Sequence, residues 1–171
     1  MPEVIFPGPE GRLEGRYNPG SRPRAPLAMI LHPHPNAGGT MNNRIVQQLY
    51  QTFARRGFAT LRFNFRGVGA SAGEHEAGSG EARDLLSVVE QVAPSGALAI
   101  AGFSFGSFVA SHALAELHTR REVERVVFVG TAAQRFTVAN VVPELHDKTL
   151  VIHGEQDDTV SLASVMDWAR P

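Results

Sequence analysis

Gly102-Phe103-Ser104-Phe105-Gly106 forms a G-x-S-x-G pattern between the apolar run ALAIAGF (97–103) and the helically spaced run FGSFVASHALAEL (105–117). A sharp strand-to-helix turn forces its central residue into a strained backbone, and glycines two before and two after remove the Cβ atoms that would collide there. The Ser104 hydroxyl would then stand proud of a sheet, at a helix N-terminus whose free N–H groups favour developing negative charge. That arrangement suits nucleophilic attack on a carbonyl. The competing assignment is a plain N-cap, a role serine often fills; the paired glycines and the flanking strand favour the nucleophile.

A second group of residues is Leu31-His32-Pro33-His34-Pro35-Asn36-Ala37-Gly38-Gly39-Thr40, where two glycines permit a tight loop after an apolar strand. Pro33 and Pro35 have no N–H, which leaves the His34 backbone to donate, paired with the N–H of Phe105, as an oxyanion hole. His32 and His34 are two apart on an extended segment and should face the same way, which admits a metal site. No third ligand with matching spacing accompanies them, so packing and hydrogen bonding are expected instead.

The third group is His153-Gly154-Glu155-Gln156-Asp157-Asp158-Thr159-Val160, where a carboxylate after a strand could orient an imidazole. Asp157, three residues beyond Gly154 and three before Val160, is preferred, with Asp158 the runner-up and a solvated turn the alternative to both. The glycine-rich stretch 66–73 lacks the third spaced glycine and the lysine of a phosphate loop. It reads as a flexible connection with a structural Arg66, and Glu74, Glu76 and Glu81 read as a solvated face.

These residues need a scaffold, and the apolar runs supply one. LAMILH (27–32), ATLRFNF (59–65), ALAIAGF (97–103), RVVFVG (125–130) and KTLVIHG (148–154) recur along the chain, with helical spacing between them over 42–56, 80–92, 105–118 and 162–169. Such alternation predicts an α/β fold, a mostly parallel sheet with helices on both faces. Pro- and Gly-rich residues 1–26 predict an opening β-hairpin, and the irregular stretch 131–147 a short helix or lid-like loop. Phe136, Val138 and Val141 there could form an apolar acyl-binding wall, with core packing as the alternative.

The 171 residues are 43% hydrophobic and carry a formal charge of −1, which fits one folded domain over 1–171 and gives no basic field for nucleic acid or anionic membrane. The absence of cysteine excludes disulfides, thiolate zinc sites and a thiol nucleophile. No leader-like segment opens the chain, so a soluble, cytoplasmic protein is expected.

The motifs LHPHPNAGGTMNN (31–43), LRFNFRGVGASAG (61–73), AGFSFGS (101–107) and VIHGEQDDTV (151–160) together resemble the α/β-hydrolase superfamily, in particular a cap-less, dienelactone-hydrolase-like bacterial subgroup. The resemblance spans about Pro26 to Ala169. It implies Ser104 as nucleophile, Asp157 as acid, the N–H groups of His34 and Phe105 as oxyanion hole, and no metal or organic cofactor. It also implies a catalytic His after one further strand, and here the pattern departs: the chain ends at Pro171 before that strand, as if C-terminally incomplete.

None of His32, His34, His75, His112, His118, His146 and His153 matches the family position. The expected function is therefore a serine hydrolase of small ester or acyl substrates, impaired in this chain, with a non-catalytic binding or scaffold protein of the same fold as the alternative. KTLVIH, left uncovered as an edge, could template self-association.

Overall fold

Leu27, Met29 and Leu31 pack into one hydrophobic cluster while Ala28 and Ile30 pack into a second. This two-residue alternation places one strand, β3 (Leu27–Leu31), in the middle of a sheet covered on both faces. The computed structural model describes residues 3–170. A hairpin, β1 (Glu3–Gly8) and β2 (Gly11–Asn18), opens the chain as the Pro- and Gly-rich composition predicts. The remaining strands are β4 (Ala59–Phe63), β5 (Leu98–Phe103), β6 (Val123–Val129) and β7 (Thr149–Ile152).

Their order is β1-β2-β4-β3-β5-β6-β7. The pairs from β4 through β7 are all parallel, and β2 pairs antiparallel with β4. Helix α1 (Arg44–Arg55) begins where Asn43 Oδ1 accepts from the N–H groups of Ile45 and Val46. It buries Val46, Tyr50 and Phe53 with Ala28, Ile30, Ala99 and Ala101 on one face. Helices α2 (Ser79–Val92) and α3 (Phe105–Leu117) supply Leu85, Val88, Val109 and Leu114 to the core on the other face. Helix α4 (Leu162–Ala169) seats Trp168 against Phe128. Stretch 131–147, expected to hold a short helix or loop, is a loop running into a 3-10 helix at Pro143–Lys148.

Two consequences matter for the site. From β3 the chain moves one way across the sheet to β4 and later returns on the other side as β5, so the carboxyl ends of β3 and β5 form a topological switch point, where open parallel sheets bind ligands. Leu31 is in register with Gly102, so the His32–Gly39 and Ser104 turns leave the sheet side by side. At the far edge β7 bonds to β6 alone among the described residues, with Leu150 and Ile152 55% and 47% exposed.

Candidate active site

The Ser104 turn is built by close approach. A Cβ on Gly102 would lie 2.5 Å from the Gly106 carbonyl carbon, and one on Gly106 would lie 2.7 Å from the His32 carbonyl oxygen. The two glycines thus let α3 start directly over the end of β5 and against the end of β3. Ser104 has φ 55° and ψ −116°, a left-handed backbone that costs a non-glycine residue about 1–3 kcal/mol.

The turn is pinned by its surroundings. Ser104 N–H donates to Val129 O at 2.9 Å, and the Ser107 hydroxyl donates to Ser104 O while accepting from Ala132 N–H. The Ser104 side chain makes no capping bond to α3 and is half-buried. The plain N-cap assignment therefore fails.

The rings of His34 and Phe105 meet edge to face at 5.0 Å between centroids. Neither backbone N–H has an acceptor among the described residues. His34 Nδ1 accepts from Asn36 N–H at 3.1 Å, which leaves its Nε2 as the protonated nitrogen. Its pKa lies below the ordinary histidine value, chiefly through burial and then through neighbouring His75.

His32 corrects the expectation that it shares a face with His34. It is fully buried, with Nδ1 donating to Pro33 O at 2.7 Å and Nε2 accepting from Phe65 N–H at 3.0 Å. Nε2 ties the end of β3 to the end of β4, while Nδ1 is spent on the carbonyl of the next residue in the loop after β3. Burial lowers its pKa to about 4.

Asp157 Oδ1 accepts from Thr159 and Val160 N–H, each at 2.8 Å. These bonds, Val160's first, hold its pKa below the usual carboxylate value. The same turn captures His153, whose Nε2 donates to Val160 O at 2.8 Å and lies 3.7 Å from Asp157 Oδ2. His153 Nδ1 is buried without a partner among the described residues. Asp158 is exposed.

Arg66, expected to be structural, is buried and forks onto both carboxylate oxygens of buried Asp84 at 2.8 and 2.7 Å. Glu76 also pairs with Arg66. Glu81, expected on a solvated face, is fully buried and accepts from the N–H groups of Gly78 and Glu76 at 3.0 Å each. Its remaining partner is His75 Nδ1 at 2.9 Å. The His75 ring packs against His34 at 4.7 Å and Phe105 at 5.3 Å. Sequence spacing left His75 unplaced and did not single out Asp84; a histidine six residues before a glutamate at a helix start was the available signal.

Of the proposed apolar wall, Phe136 does reach the site, edge to face with Phe105 at 5.4 Å and stacked on Phe108 at 4.8 Å. Val141 instead lines a cavity of about 500 Å³ beside β7, with Thr149, Val151 and Trp168. Val138 is buried.

A mostly parallel sheet flanked by helices, with a strained serine turn at its switch point, defines an α/β hydrolase. Residues 36–142 match the family described as serine aminopeptidase, S33, and the chain belongs to it. It is 41% identical to ATU1826 of Agrobacterium tumefaciens, a protein of unknown function, over 97% of this chain and 76% of that one, with a TM-score of 0.83. It is 32% identical to XC6422 of Xanthomonas campestris, an α/β serine hydrolase without a lid, over 98% of this chain and 77% of that one, with a TM-score of 0.85. RP471 of Rickettsia prowazekii is 44% identical over 114 residues, 64% of this chain and 48% of that protein; the match thus spans about half of this curated relative. Among the described residues, no helix is long and apolar enough to cross a membrane.

Proposed function

We propose that the chain carries a serine hydrolase site for small ester or related acyl substrates. Ser104 attacks the carbonyl carbon, the His34 and Phe105 N–H groups hold the resulting oxyanion, and water later releases the acyl group. Asp157 is the carboxylate that would orient an imidazole, since its Oδ2 is left over from the turn that Oδ1 holds.

The observation carrying the reading is the positive φ of Ser104, maintained without any capping bond. Backbone strain of this kind persists where the surroundings over-determine it, and it clusters at functional sites. A merely structural serine at a helix start would relax into a cap.

No imidazole is hydrogen-bonded to Ser104 among the described residues, and His153 is committed to Val160. Removing the histidine of a serine triad costs about 10⁶ in turnover. Turnover by Ser104 therefore depends on an imidazole that accepts its proton, and the commitment of His153 to Val160 favours, as the second reading, a binding protein that keeps the pocket without the chemistry.

Hydrolysis of a p-nitrophenyl ester series by the chain and by Ser104→Ala separates these readings. Slow release that disappears in Ser104→Ala supports the hydrolase. Saturable ester binding with equal background release in both supports the binding protein.

A further inference from the structure

We infer that the face of the sheet covered by α1, opposite α3, holds a small oxyanion between β4 and α1. The inference does not depend on the reading of Ser104.

Thr60 and Arg62 of β4 are in register with Ala28 and Ile30 of β3, so their side chains point to the face that α1 covers. There Arg62 Cζ lies over the Tyr50 ring, 4.9 Å from its centroid. Arg16 of β2 is in register with Arg62 and brings a second guanidinium to the same face. Like charges directly opposite on neighbouring strands repel.

Arg62 is only 7% exposed, and no carboxylate among the described residues is paired with it. Its Nη1 donates to two neutral acceptors, Met41 O and Asn42 Oδ1, each at 2.8 Å. Glu14, two residues before Arg16 on the same face, is taken up by Asn64 Nδ2 and the Ala70 N–H. Glu3 lies one strand further out, opposite Arg16 on β1. Arg66 makes the contrast, because it is equally buried but is flanked by Asp84 and Glu76. A desolvated charge without a counter-charge is costly, and the face of the Tyr50 ring compensates it only in part.

Three buried donors are also left over. Arg62 Nε, the Tyr50 hydroxyl and Thr60 Oγ1 have no hydrogen-bond partner among the described residues. The two hydroxyls are neighbours, and burial raises the pKa of Tyr50, so its hydroxyl keeps its proton as a donor. With Nη1 engaged, the Nε–Nη2 edge of the guanidinium is the fork that remains, a geometry matched to two oxygens of a carboxylate, phosphate or sulfate. A water molecule could accept these bonds but would leave the charge uncompensated. The close cover of α1 restricts the ligand to a small one.

The test is thermal unfolding of the full chain in millimolar inorganic phosphate, against sodium chloride at equal ionic strength. The wild-type Tm should rise with phosphate and level off as the site fills. Tyr50→Phe keeps the ring under Arg62 and removes one donor, and Thr60→Val removes another at constant shape. Each should weaken phosphate binding about 10-fold, and Arg62→Met should abolish the saturable rise. Tyr50→Phe and Thr60→Val carry the test if Arg62→Met does not fold. In crystals grown with selenate, the anomalous signal of selenium should fall within hydrogen-bonding reach of Arg62 Nε and the Tyr50 hydroxyl.

A Tm that climbs linearly and equally in all folded variants reports general exclusion of salt from the surface and would overturn the site. So would a water between Arg62 and Tyr50 in the selenate crystals, or selenate bound only elsewhere on the molecule.

Discussion

Acidification from pH 7 to about 4.5 should cost this fold about 2 kcal/mol through His32 alone. His32 is fully buried, with both ring nitrogens engaged, and its pKa is lowered to about 4 by burial. In the unfolded chain the same imidazole titrates near its ordinary value of 6.5. Between those two values the unfolded state binds the proton and the folded state does not, so stability is fully present above about pH 6.5 and is lost as pH falls towards 4. Protonation would also turn Nε2 into a donor facing the Phe65 N–H, breaking the bond that ties β3 to β4. For a chain of this size the loss corresponds to about 4–8 °C in Tm.

The perturbation is His32→Gln, which keeps a donor and an acceptor but does not titrate. Urea unfolding at both pH values gives the change in stability for each chain, and its difference isolates His32 from carboxylates common to both. The variant should lose about 2 kcal/mol less than the wild type on acidification, whatever its stability at neutral pH. Equal acid losses in the two chains would refute the buried, neutral assignment.

Other outcomes follow from the same structure. Asp84→Ala strands the buried Arg66 guanidinium with Glu76 as its remaining carboxylate, and should cost about 3–5 kcal/mol in urea unfolding; near-wild-type stability would show that the pair is not desolvated. Gly106→Ala places a Cβ against the carbonyl oxygens of Leu31 and His32, so a loss of about 1–3 kcal/mol is expected by thermal melt, with labelling of Ser104 impaired.

The parts of the site that depend on neighbouring residues were legible from sequence. The Ser104 turn is one: two glycines, a β-strand and a helix within a few residues leave few ways to pass from one element to the next. The run LAMILH was similarly plain, because a strand buried on both faces is apolar throughout. What stayed hidden depends on residues brought together by the fold. Glu81 looks solvated in a stretch of acidic residues, yet the Arg66–Asp84 fork folds the 66–78 segment back over α2 and buries it. His75 gains a chemical setting only once that folding has occurred. His32 and His34 misled for a related reason, because period-two spacing holds along a strand, and the chain leaves β3 at Leu31, before either residue.

The central claim is that one serine hydroxyl and two backbone amides serve the same carbonyl group of substrate, the hydroxyl at its carbon and the amides at its oxygen. It is tested most directly by a crystal structure of the chain after reaction with a fluorophosphonate. The expected adduct is on Ser104 Oγ, with the phosphonyl oxygen about 2.7–3.1 Å from both His34 N and Phe105 N. An adduct on another residue, or a phosphonyl oxygen turned away from that pair of amides, would contradict the account.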